Sequence, residues 1–320
     1  MILAPPFTPH PHLRLNPQLR YLLRRFRFIR RFFVPRIVAR HYSACFGRPL
    51  PRDNPRTLLE IINWAKAWGD LERYAPFADK HQVRHYIKAV AGEAHLVPLL
   101  AVTGRAADLN WAALPSAFVL KTTHGSGWNI IVRDKVSANR AAISTQLDDW
   151  LSRSFFLEGL ESQYAPIKPR LIVESYLGDP QATPCDYKIF CVHGTPAIIA
   201  ADYDRHEIQL RSFFDPDWNL QSARDPRFAI KSACPRPAGL AVMLELARKL
   251  SRPFPFVRVD FYDIDGAVYV GELTFTPSQG LVGVDPPDFD LLMGLRIDFT
   301  AYRRSLDIDP RLLPPAHPPS

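Results

Sequence analysis

The run FVRVDFYDIDGAVYVGELTF, residues 256–275, constrains the fold more than any other part of the chain. Apolar and polar residues alternate with a period of two on both sides of Asp265-Gly266, the pattern of two strands folded back through a tight turn. DYKIFCVHGTPAIIAADYD, residues 186–204, repeats the arrangement around His193-Gly194. In FVLKTTHGSGWNIIVRD, residues 118–134, a small-residue loop separates AFVLK (117–121) from WNIIVRD (128–134). PRLIVESYL, 169–177, reads as a further strand bounded by Pro169 and Gly178. Helical spacing appears in 57–68, 78–92, 141–156 and 238–251, while 98–115 reads as loop. Hairpins dominate the strand content. Largely antiparallel sheets are therefore expected, in an α+β chain rather than a doubly wound one.

The 320 residues suffice for two or three lobes. No window has the roughly 18 uninterrupted apolar residues of a membrane span. Pro5, Pro6, Pro9 and Pro11 break the N-terminus, so no secretory signal is expected there. The four cysteines, Cys45, Cys185, Cys191 and Cys234, show no CxxC spacing and read as free thiols of a reducing cytoplasm. Charge is unevenly placed. Residues 1–52 hold eleven arginines and no Lys, Asp or Glu, so this segment carries +11 against a net charge of +8, leaving −3 for the rest. The basic character belongs to an arm, which makes nucleic acid an unlikely partner for the body. Within the arm, Leu19, Leu22, Leu23, Phe26, Ile29 and Phe33 form one helical stripe over residues 18–34, and Arg20, Arg24, Arg27 and Arg31 another. Such a helix suits packing on the body or an anionic membrane interface, with nucleic acid as a third, weaker alternative for the arm.

Four features can carry chemistry. Gly125, Ser126 and Gly127 can bring backbone N–H groups close to an anion. No Lys-Ser/Thr pair or helix follows, so this is neither a P-loop nor a nucleophile elbow, and alone it reads as a hairpin turn. In the hairpin of 256–275, Arg258, Asp260 and Tyr262 share one strand face, and Glu272 and Thr274 share a face of the return strand. A turn near Gly266 sets Asp260 across from Glu272. Two opposed carboxylates in apolar surroundings call for a cation, and Mg²⁺ suits hard oxygen donors. Lys188, inside the apolar strand DYKIF, calls for an anion. Glu174-Ser175-Tyr176-Leu177 ends a strand with an acid and free backbone groups. His124, Arg205 and His206 are candidates for recognising an acidic substrate, although lone basic residues are usually solvated.

Taken together, ADKHQVRHYI, FVLKTTHGSGWNIIV, KPRLIVESYL, DYKIFCVHG and FPFVRVDFYDIDGAVYVGELTFTPSQG resemble the TupA-like ATP-grasp family, from about Pro55 to Phe299. The resemblance implies two lobes whose largely antiparallel sheets clamp a nucleotide, preceded by a helical N-terminal region. The chain would divide into a basic arm (1–56), a helical region (57–115), a small lobe with a glycine-rich flap (116–176), a large lobe with a metal hairpin (177–305) and a disordered proline-rich tail (306–320). It implies that Lys121 and Lys188 contact ATP phosphates beneath the flap Gly125, Ser126 and Gly127. Glu174 and the backbone at Tyr176 and Leu177 would receive adenine. Asp260 and Glu272 would hold Mg²⁺, with Thr274 where the family usually has asparagine. Arg258 and Lys188 would serve catalysis. The implied activity joins a carboxylate to an amine through an acyl-phosphate, in cell-surface polysaccharide or teichuronopeptide biosynthesis at the cytoplasmic face of the membrane. A glycosyltransferase using Asp263-Ile264-Asp265 or Asp215-Pro216-Asp217, and a non-catalytic nucleotide-binding protein, are the alternatives.

Overall fold

Asp265 and Gly266 have φ of 52° and 89°, and His193 and Gly194 have 48° and 77°. Positive φ at both central positions is the turn that matches strand twist, so both dipeptides close hairpins where the sequence marks them. A computed structural model describes residues 15–203, 209–231 and 234–303. The proline-rich tail and the candidates Arg205 and His206 lie outside the described residues.

The strands are β1 (Leu99–Thr103), β2 (Phe118–Thr122), β3 (Asn129–Val132), β4 (Leu171–Ser175), β5 (Asp186–Val192), β6 (Thr195–Tyr203), β7 (Leu210–Phe214), β8 (Phe256–Ile264) and β9 (Ala267–Thr274). They form a four-stranded sheet, β1-β4-β2-β3, and a five-stranded sheet, β7-β6-β5-β8-β9. Every pair of these strands is antiparallel. The helices are α1 (Pro17–Arg25), α2 (Arg27–Phe46), α3 (Leu58–Trp68), α4 (Ala75–Ala78), α5 (Val83–Ala91), α6 (Arg140–Ser152), α7 (Phe156–Gly159), α8 (Leu240–Ser251), α9 (Asp288–Leu295) and α10 (Phe299–Arg303).

Alternation decides what each sheet buries. In the small sheet Phe118, Leu120, Ile130, Val132, Leu171 and Val173 pack on Ile143, Leu147 and Trp150 of α6. In the large sheet Tyr187, Ile189, Val257, Val259 and Phe261 pack on Met243, Ala247 and Leu250 of α8. Fully burying each large apolar side chain stabilises by roughly 1.5–3 kcal/mol. The opposite face of the large sheet is mixed. Val192, Ile198, Phe213 and Phe256 meet Leu58, Ile61 and Ile62 of α3, and the remaining positions on that face carry the charged residues described below.

Four local readings change. β1 lies within the segment read as loop; it is a short edge strand of alternating exposure between Pro98 and Gly104, too brief for a clear period. β7 is likewise an edge strand without a turn signal of its own. The helix read over 78–92 begins only at Val83, because Asp79 accepts hydrogen bonds from the backbone of His81 (2.8 Å) and Gln82 (3.1 Å) and folds 79–82 into a turn. The arm does not keep one stripe. Phe26 is extended (φ −122°, ψ 114°) and separates α1 from α2. Leu23, Val34, Val38 and Tyr42 are then buried on Ala67, Phe156, Leu157 and Leu160, while Phe28 and Phe32 point outward. No helix among the described residues is long and apolar enough to cross a membrane.

Candidate active site

On the mixed face of the large sheet, register places ionised side chains in adjoining rows. Asp186 lies opposite Asp202, Lys188 opposite Asp260, and Asp260 opposite Glu272. Lys188 Nζ is bonded to Asp186 and lies 3.3 Å from Asp202 and 3.7 Å from Asp260. Arg211 grips Asp202 with Nε at 2.6 Å and Nη2 at 2.8 Å, and Asp225 with Nη1 at 2.8 Å. Arg258 donates from Nε and Nη2 to the two oxygens of Asp260, each at 2.6 Å, and reaches Thr274 Oγ1 at 3.1 Å. Its Nη2 is 3.4 Å from Glu272, and the Thr274 hydroxyl donates to Glu272 Oε1 at 3.0 Å. The opposed carboxylates are therefore bridged by a guanidinium of their own sheet.

The small sheet brings a second set. Lys121 Nζ donates to Glu174 Oε2 at 2.7 Å, and Arg84 of α5 donates to Glu174 Oε1 at 3.1 Å. Lys80, in the turn before α5, joins the sheets. Its ammonium donates to the Gly125 carbonyl and lies 3.7 Å from Glu272 Oε2, while its backbone N–H donates to the Thr123 carbonyl at 3.3 Å. Gly125 is required by space, since a Cβ there would meet Trp128 at 2.9 Å and Phe155 at 3.0 Å. Gly127 is required by its φ of +73°.

The two acids of the hairpin respond differently to this setting. Burial pushes the Asp260 carboxyl up to about 6, against the pull of Arg258 and Lys188. Burial acts the same way on Glu272, but Lys80, Arg258 and Lys188 outweigh it and bring it down to about 2. Lys80, the largest of these pulls, acts on Glu272 and not on Asp260, which Glu272 and Asp186 push further up. Burial lowers the Lys80 ammonium, with nearby Lys121 adding to the effect. Burial also opposes charge on Lys121, yet Glu174, Tyr262 and Glu272 hold it above the ordinary lysine value.

Lys121, Lys188, Arg258, Asp260, Glu272, Thr274 and the flap glycines are thus brought together. The Glu174 carboxylate is taken by Lys121 and Arg84, which leaves the backbone at 176–177 as the open part of that strand end. The phenol of Tyr176 is bound to the Ala182 carbonyl and Arg133 lies 5.6 Å from its ring. Sequence reasoning did not single out Lys80, Arg84, Asp186, Asp202, Arg211 or Asp225. Asp186 and Asp202 were readable, because both lie nearly equidistant from the His193-Gly194 turn. Lys80 gave no signal, since a four-residue turn has no period. The donor set Asp260, Glu272 and the Thr274 hydroxyl consists of hard oxygens placed together in an acid-rich face, which fits Mg²⁺. Among the described residues no group of three or more His, Cys, Asp or Glu is placed to hold a metal ion, so this set rests on two carboxylates and one hydroxyl.

A family model described as TupA-like ATPgrasp matches residues 60–298. No curated protein sequence matches the chain. Among solved structures it is similar to D-alanine–D-alanine ligase from Bacillus anthracis, at 16% identity and a TM-score of 0.40, covering 74% of this chain and 67% of that one. A RimK domain ATP-grasp protein from Sphaerobacter thermophilus gives 14% and 0.38, covering 73% and 69%. A D-cycloserine synthetase gives 12% and 0.41, covering 75% of each chain. Two further D-alanine–D-alanine ligase structures are spanned over only 56% and 60% of their length.

Proposed function

The chain belongs to the TupA-like ATP-grasp family, and on that premise we propose that it is an ATP-dependent carboxylate–amine ligase. The observation that carries the reading is the convergence of Lys80, Lys121, Lys188 and Arg258 with the Asp260–Glu272 pair between two antiparallel sheets. A polyphosphate is the ligand that so many buried cations would favour, and each cation already has a carboxylate fixing its position.

In this reading Lys121 and Lys188 hold ATP phosphates under the flap Gly125–Gly127, and Glu174 orients Lys121. Adenine lies against the backbone of Tyr176 and Leu177. Asp260, Glu272 and Thr274 would hold Mg²⁺, which when bound offsets phosphate charge. A substrate carboxylate oxygen attacks the γ-phosphorus, the bond to the β-phosphate bridging oxygen breaks, and ADP leaves. An amine then attacks the acyl carbon, inorganic phosphate departs, and the nitrogen loses a proton. Arg258, rigidly held by two hydrogen bonds to Asp260, donates to the transferred phosphoryl group and to the oxyanion of the tetrahedral adduct.

The pathway that goes with this reading is assembly of cell-surface polysaccharide or teichuronopeptide at the inner face of the membrane. The arm supports a peripheral location. Tyr21, Phe28 and Phe32 are 64%, 71% and 55% exposed beside exposed arginines, the make-up of a surface that enters an anionic interface. The roles of Asp215 and Asp263, the first acids of the two triplets, support this reading over a glycosyltransferase. Asp215 is occupied by the backbone of Asp217 (3.0 Å) and Asn219 (2.8 Å), and Asp263 by that of Gly239 (2.7 Å) and Gly266 (2.8 Å). Both stabilise turns.

A phosphate-release screen with ATP, Mg²⁺ and paired carboxylates and amines tests the reading. Lys121→Ala and Asp260→Asn are each expected to lower turnover at least 100-fold. Full ATP turnover in either variant would overturn the assignment, and nucleotide binding without release under any pairing would favour the non-catalytic alternative.

A further inference from the structure

A second basic site, lined by none of the cleft cations or acids named above, lies between α2 and the body. It is a cavity of ≈ 340 Å³ lined by Arg27, Arg30, Arg31 and Lys66, together with Asp70 and Glu72. The three arginines follow the spacing of the buried Val34 and Val38 along α2; Arg30 is largely covered, while Arg27 and Arg31 line the cavity from exposed positions. Phe28 and Phe32 point to solvent.

The cations exceed their partners. Arg27 Nε and Arg30 Nη2 divide one carboxylate, Glu72, at 3.1 and 3.2 Å. Arg30 Nε is buried with no acceptor. Arg31 has no carboxylate partner among the described residues. Asp70 is already paired with Arg73 at 3.6 Å. Lys66 is buried, donating from Nζ to the Gln279 carbonyl at 2.8 Å. A buried donor without an acceptor is costly, and a planar guanidinium is satisfied best by a carboxylate or phosphate.

We propose that this cavity binds an anionic ligand carrying two or more carboxylate or phosphate groups. The site does not depend on the ligase reading, because none of Lys80, Lys121, Lys188, Arg258, Asp260 or Glu272 lines it. Isothermal titration of the full chain with citrate and with pyrophosphate, each with and without a non-hydrolysable ATP analogue, separates the carboxylate source from the phosphate source. It also separates this site from the cleft. Saturable binding of at least one probe is expected to persist with the analogue present. It should weaken at least tenfold in Arg30→Ala/Arg31→Ala and several-fold in Arg31→Glu, whose exposed side chain leaves folding intact. No saturable binding of either probe, or affinities unchanged in both variants, would overturn the proposal. So would binding that disappears when the analogue is added.

Discussion

His124 shows how one side chain ties the flap to the state of the fold. Its Nε2 is 3.2 Å from the Trp150 carbonyl and therefore carries the proton, while Nδ1 is buried without an acceptor. Charging the ring would bury a second N–H and a net charge away from water. Burial first, and the nearby Lys80 ammonium with it, push the imidazole down to about 4 against the pull of the Trp150 carbonyl. Between pH 6.5 and 4 the unfolded chain binds the proton and the folded chain does not. Stability from this residue is complete above 6.5 and is lost as pH falls toward 4, by about 3 kcal/mol. Urea unfolding at pH 7.5 and 4.5 should show wild type losing that much more than His124→Gln, and equal losses would contradict the assignment. The sequence marked His124 as a candidate for recognising an acidic substrate. Its burial (2% exposed) makes it a neutral support for the flap, which no local pattern could have announced.

At the level of elements, legibility followed closure. β5–β6 and β8–β9 were readable because each hairpin carries its own turn residues and a long alternating run, and α3 because its apolar residues keep helical spacing; the structure adds a capping box of Thr57 and Glu60 at its start. β1 and β7 were not, because edge strands take their register from neighbours distant in sequence. The break at Phe26 was also hidden, since what decides it is the body surface that receives Leu23 and Val34. Contacts between elements show the same dependence. Gly294 in α9 lies against the start of α3, where an added Cβ would strike the Arg56 carbonyl and come within 2.5 Å of the Thr57 carbonyl carbon and 2.6 Å of Leu58 N. The obstacles are backbone and cannot rotate away. Gly294→Ala should therefore destabilise by about 3 kcal/mol, at the upper end of overpacking costs. Thr57→Ala, which removes only the cap, should cost about 1 kcal/mol. Chemical unfolding that ranks the two the other way would refute the contact argument.

Across the whole molecule, the two sheets have separate cores, and the charged contact between the Gly125–Gly127 loop and the β8–β9 hairpin runs through Lys80. Its ammonium is shared between the Gly125 carbonyl and Glu272, and its backbone is fixed to Thr123. The turn is itself anchored, because Asp79 lies 3.5 Å from Arg170, just before β4. A ligand seated under the flap would meet Lys80 already placed, at the meeting point of both sheets. Lys80→Met keeps the length and apolar stem of the side chain and removes the charge. The Gly125 carbonyl then loses its donor, and Glu272 loses the cation that most lowers its pKa. Amide hydrogen exchange over residues 123–128 should rise several-fold in this variant, while the amides of β5 and β8 keep their protection. ATP affinity should fall at least tenfold, because the flap is no longer held over the place the phosphates would occupy. Unchanged exchange in the flap would show that Lys80 merely fills space, and the coupling between the two sheets would then have to be sought in the ion pairs of Glu174.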